Sequence, residues 1–115
     1  MIRINKRTLD SEMVRGDTGA FSIRPMIRGE YVLQDGDQVW FTVRKIKDQT
    51  IVIQKMTDEF EDYAAGFVIN PEDTIPLELG NYIFDLKLIR GDGTVDSLIP
   101  GGRDTAYLAI KRGVK

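Results

Sequence analysis

The chain contains no histidine and no cysteine. Those two absences exclude Ser-His-Asp and Cys-His triads, thiol redox chemistry, structural zinc sites and any imidazole proton shuttle. Proline is scarce, at four residues, and tryptophan occurs once, as Trp40. No apolar run approaches the ~20 residues of a bilayer-spanning helix, so no membrane association is expected. The opening Met-Ile-Arg-Ile-Asn-Lys-Arg lacks the apolar stretch of a secretory signal, which makes the cytoplasm the default expectation. A large excess of one charge is also missing. With a net charge of −2 and a pI near 5.1, no general attraction to nucleic acid is expected.

What is present describes an ordinary folded chain. The 115 residues, 42% hydrophobic and 30% charged, suit one domain spanning 1–115, with residues 1–8 read as an extended N-terminal arm. A chain of this size buries roughly 60–70% of its unfolded surface, enough for a core without disulfide or metal staples. Its charge is uneven. Arg3, Lys6 and Arg7 mark one end, Lys111, Arg112 and Lys115 the other, and Asp58, Glu59, Glu61 and Asp62 cluster in the middle. Basic ends of this kind are ordinarily solvated, and where they act, an acidic neighbour in an assembly suits them better than a nucleic acid.

Alternation dominates the pattern. Residues 38–45 place Val39, Phe41 and Val43 on one face, and Trp40 and Thr42 on the other with Gln38 and Arg44. Residues 81–90 repeat the pattern, with Tyr82, Phe84, Leu86 and Leu88 opposite Ile83, Asp85, Lys87 and Ile89. Both stretches are strands with period two, and the unbroken apolar set of the second is a core face. Shorter strands are predicted at 19–25, 51–56, 66–70, 94–99 and 105–111, with a weaker one around 8–15. Gly-Asp and Pro-Gly-Gly turns punctuate them. The expected fold is therefore all-β, an immunoglobulin-like antiparallel β-sandwich of about seven to nine strands.

Two stretches are less regular. Residues 58–64 suit either a short helical turn capped by Thr57 or a hairpin loop. Asn70-Pro71-Glu72-Asp73-Thr74 looks like a turn leaving a strand, with Pro71 ending ladder pairing.

The sharpest local motif runs from Glu78 to Phe84. Glu78, Gly80 and Tyr82 resemble the tyrosine corner that opens strand F of immunoglobulin-like sandwiches, with Phe84 at the position of the disulfide cysteine. A tyrosine entering the core at a strand's start needs a partner for its hydroxyl, and an upstream backbone group is within reach. This motif defines a fold, not an activity.

Other motifs have bland explanations. Arg-Gly-Asp occurs at Arg15–Asp17 and Arg90–Asp92, both times between predicted strands, where Gly-Asp is turn chemistry. Asp35, Asp37, Asp92, Asp96 and Asp104 could supply an acid–base pair, but all lie in or beside turns, and nothing sets two across a cleft. No phosphate-binding glycine loop and no calcium loop is present. No catalytic, cofactor-binding or metal-binding residue is assigned, no enzymatic activity or cofactor is expected, and neither is a small-molecule ligand. Trp40 and Tyr107 could form a sugar-stacking platform. With Ile83 and Ile89 they better suit the second sheet face, either as core or as a subunit interface.

From Val14 to Ile110 the chain resembles small β-sandwich proteins of tailed phages and prophages, and is similar to the N-terminal domain of the phage baseplate upper protein family. The likeness is carried by Arg15-Gly16-Asp17-Thr18-Gly19 leading into Phe21, and by Gly36-Asp37-Gln38-Val39-Trp40-Phe41. Asn70-Pro71-Glu72-Asp73-Thr74 and Leu79-Gly80-Asn81-Tyr82-Ile83-Phe84-Asp85 continue it, in that order. The resemblance implies a virion structural or assembly module that forms homo-oligomers and binds other virion proteins. The alternative from the residues alone is a carbohydrate- or cell-surface-binding sandwich.

Overall fold

The computed structural model describes residues 1–113; Lys115 of the basic tail lies outside the described residues. Two long alternating strands organise it. β6 (Gln38–Lys45) buries Val39, Phe41 and Val43, and β9 (Gly80–Ile89) buries Tyr82, Phe84, Leu86 and Leu88. They pair antiparallel from Gln38↔Ile89 to Lys45↔Tyr82, which puts both apolar sets on one side of the sheet. β7 (Ile51–Thr57) extends the sheet beyond β6, with a bulge between Val43 and Arg44.

On its other side β9 carries two partners end to end. β11 (Ala106–Lys111) pairs with its first half, and β10 (Val95–Ser97) with its last residues. β2 (Ser11–Val14) then joins β11 in parallel, and β1 (Ile2–Ile4) pairs antiparallel with β2. The seven-stranded sheet therefore runs β1-β2-β11-β9-β6-β7 with β10 beside β9. It is mixed, where a purely antiparallel sheet was expected. The N-terminal residues also differ from the expected arm. Ile2 and Ile4 are half-buried inward-facing residues, so β1 pairs back on β2 as a hairpin.

A second layer is formed by β3 (Gly19–Ile23) and β8 (Ala65–Ile69), paired antiparallel around Phe21↔Phe67. It lies on the buried face of the large sheet, giving the sandwich expected from alternation. Phe41 meets Phe21 edge-on at 5.1 Å, Phe67 at 5.8 Å and Phe84 at 5.3 Å. Four aromatic rings thus join the two layers. One contiguous core includes these residues with Leu33, Ile69, Leu77, Ile99 and Ile110.

Short elements complete the chain. β4 (Met26–Ile27) and β5 (Glu30–Tyr31) make a small exposed hairpin, turned by Arg28 and Gly29 at positive φ. The single helix among the described residues, α1 (Pro71–Thr74), falls in the Asn70–Thr74 segment, because Pro71 fixes a helical φ at its first position and Asp73 accepts the Asn70 N–H at 2.7 Å. Residues 58–64 take the hairpin alternative instead of the helical turn. Glu61 and Ala64 exchange backbone hydrogen bonds across Asp62 and Tyr63, both at positive φ. Among the described residues no helix is long and apolar enough to cross a membrane.

Candidate functional site

The corner motif closes as its residues suggest. Tyr82 is buried, and its hydroxyl donates to the Glu78 carbonyl at 2.7 Å. Burial raises the Tyr82 phenol above its ordinary pKa, and the Glu78 charge adds to the rise while the hydrogen bond opposes it. Gly80 has φ +133°, a conformation side-chain-bearing residues avoid, and it lets the chain enter β9 directly behind the corner. Phe84 then packs on Phe41. All four residues serve the fold.

Of the five candidate acids, Asp37, Asp92 and Asp96 are held by contacts in or beside turns, and Asp35 and Asp104 join none of them. Asp37 is buried, and its carboxylate accepts the Gln34 N–H at 3.0 Å and the Gly91 N–H at 3.2 Å, joining two turns. Asp92 accepts the Thr94 N–H at 2.9 Å, and this contact with Thr94 lowers its pKa. Asp96 pairs with Arg90 at 3.2 Å. Among the described residues no three acids gather as a metal site. Both Arg-Gly-Asp segments are turns: the Gly16 N–H donates to Thr74 Oγ1 at 2.8 Å, and the Gly93 N–H to the Arg90 carbonyl at 2.8 Å.

The remaining candidates converge. Cross-strand register puts Trp40, Ile83, Ile89 and Tyr107 on the same outer face of the seven-stranded sheet, away from β3 and β8. Tyr107 sits opposite Ile83, which sits opposite Arg44. Trp40 lies between Lys87 and Met56, and Ile89 between Gln38 and Val95. Met56, Val95 and Tyr107 are exposed, at 43%, 56% and 50%, so among the described residues no third layer covers this face. The second face of β6 and β9 is therefore outer surface of this chain and not part of its core.

Several polar groups on this face are matched, while Lys87 beside Trp40 has no ion-pair partner among the described residues. Arg44 and Asp85 form a diagonal cross-strand ion pair at 2.6 Å. The Thr42 hydroxyl accepts from Gln54 at 3.2 Å, and the Trp40 indole N–H donates to Gln38 at 3.0 Å. The matched groups cost little to cover, whereas Lys87 beside Trp40 would need an acidic group or water opposite it. Trp40 and Tyr107 do not form one stacking platform. Two strand spacings and four residues of rise separate them by roughly 16 Å, and the Arg44–Asp85 pair lies between.

Met56, Val95 and the Arg44–Asp85 pair belong to the face but carried no interface signal in the sequence. Their position depends on which strands neighbour one another, and alternation gives only the face of each strand. Comparison with protein-family models, curated proteins and solved structures gave no match.

Proposed function

We propose that this chain is a non-enzymatic structural or assembly module that works by protein–protein association through the outer face of its seven-stranded sheet, within a virion of the tailed-phage kind its sequence resembles. The observation that carries the reading is the face itself. It gathers Trp40, Met56, Ile83, Ile89, Val95 and Tyr107 on one side of the seven-stranded sheet, with no covering layer among the described residues. Aromatic residues, methionine and arginine are the types enriched where proteins meet. A sugar-binding role draws no comparable support, because the two aromatic candidates stand too far apart to grip one ring.

The occupant expected is a second copy of the chain, followed in the assembly by other virion proteins. Trp40 is the sole tryptophan, so its emission reports on the face directly. Across a dilution series from millimolar to nanomolar protein, a red shift of the emission maximum is expected as the face becomes wet. An emission maximum independent of concentration would remove self-association through this face.

A further inference from the structure

Asp-Gly occurs twice in the chain, at Asp35–Gly36 and Asp92–Gly93, and the fold holds the two copies differently. The pair is reactive because a glycine nitrogen, with no side chain beside it, comes close to the preceding aspartate's side-chain carbon without a clash. All four residues are exposed, in two turns that touch: a Cβ on Gly91 would stand 3.7 Å from the Gly36 carbonyl oxygen.

At the second copy both reacting groups are engaged. The Gly93 N–H donates to the Arg90 carbonyl at 2.8 Å, and the Asp92 carboxylate accepts the Thr94 N–H at 2.9 Å. The contact with Thr94 also lowers the Asp92 pKa. Less of the side chain then carries the proton that makes its carboxyl group an electrophile.

At the first copy both groups are free. The turn closes from the Asp37 N–H to the Gln34 carbonyl at 3.1 Å, a bond that bypasses Asp35 and Gly36. Among the described residues no hydrogen bond or ion pair reaches the Asp35 carboxyl group, and none uses the Gly36 N–H. Gly36 has φ +94°, and no atom lies within 4 Å of where its Cβ would be, so the turn is open on that side.

We propose that Asp35–Gly36 is a site of spontaneous isoaspartate formation, and that the change loosens the junction between its turn and the one after β9. The Gly36 nitrogen attacks Cγ of the protonated Asp35 side chain. A C–N bond forms, and the nitrogen's proton and the side-chain hydroxyl leave together as water. A second water adds to the former main-chain carbonyl of the five-membered imide and breaks that carbon's bond to nitrogen. The main chain now runs through Cγ, the old carbonyl has become a carboxylate, and the mass is unchanged. The product lengthens the main chain by one methylene inside the turn that the Asp37 N–H closes. Asp37 also accepts the Gln34 and Gly91 N–H groups, so both turns feel the change. The site needs no docked partner and stands independently of the Trp40 face.

The test ages the folded full chain in mildly acidic buffer and maps both sites by electron-transfer fragmentation, which separates the two linkages. Asp92 is the internal control. Its two hydrogen bonds must break before it reacts, so isoaspartate should accumulate about tenfold faster at residue 35 than at residue 92. In urea, where those bonds are gone, the two rates should converge. In the aged fraction, amide exchange at Gln34 and Gly91 should quicken. Equal rates in the folded chain, or a difference that persists in urea, would overturn the proposed site. Unchanged exchange at Gln34 and Gly91 in the aged fraction would overturn the loosening.

Discussion

At Tyr82 a ring sits in the core while its hydroxyl donates to the Glu78 carbonyl four residues upstream. Removing that one oxygen keeps the packing and deletes the bond. Tyr82→Phe should therefore lose about 0.5–1.5 kcal/mol by urea unfolding. Because burial raises the phenol's folded pKa, its contribution is intact below the usual tyrosine range and falls away as pH rises through the folded value. The wild-type advantage over Tyr82→Phe should shrink in strong alkali, and an advantage constant across that range would contradict the assignment.

Asp10 shows the opposite sign. The Tyr107 N–H donates to its carboxylate at 2.9 Å and Arg103 pairs with it at 3.1 Å, tying the start of β2 to β11. The Tyr107 N–H is the main cause of its lowered pKa, burial opposes the shift, and Arg103 adds to the lowering. A depressed carboxyl contributes stability above its unfolded pKa and loses it as pH falls through the folded one. Asp10→Asn should be less stable than wild type at neutral pH, and the two should converge below the ordinary carboxylate range. Urea midpoints at several pH values check this.

Among elements, β6 and β9 were legible in the sequence almost residue by residue, because long period-two runs with aromatic and β-branched residues have one reading. β1, β4 and β5 were not. Three residues of Ile-Arg-Ile and two of Met-Ile carry too little pattern, and their pairing depends on partners elsewhere. The parallel β2–β11 pair was equally hidden, since nothing in either segment states its neighbour's direction. Thr74 looked like a turn residue, yet it is fully buried and its hydroxyl accepts the Gly16 N–H, a contact spanning 58 residues.

The aromatic junction between layers makes an element-scale expectation. Phe41 touches Phe21, Phe67 and Phe84, so it joins β6 to β3, β8 and β9 at once. Phe41→Ala should cost about 3–5 kcal/mol, read from denaturant midpoints. A loss below ~1 kcal/mol would mean that the two layers are held elsewhere.

For the whole molecule, the missing cysteine and histidine have a structural counterpart. Four phenylalanines join the two layers without any covalent link, and Asp37 and Asp92, two of the acids that might have replaced histidine chemistry, accept hydrogen bonds within turns. The corner at Glu78–Phe84 was readable because its parts are local. Of the candidate face, four residues were readable as apolar positions, but their gathering on one surface required the strand order. The principal extents of 44 × 28 × 23 Å fit a two-layer body, with the Trp40 face along its outside.

Sedimentation equilibrium of the full chain tests this face most directly, with Ile83→Lys as the matched variant. Ile83 is half-buried on the outer surface and outside the core, so the substitution leaves the inner packing in place. The expected result is a wild-type mass at high concentration that is a multiple of 13.0 kDa, and a variant that remains at the monomer mass. A wild-type chain that stays monomeric at every concentration, or a variant that associates equally well, would contradict association through this face.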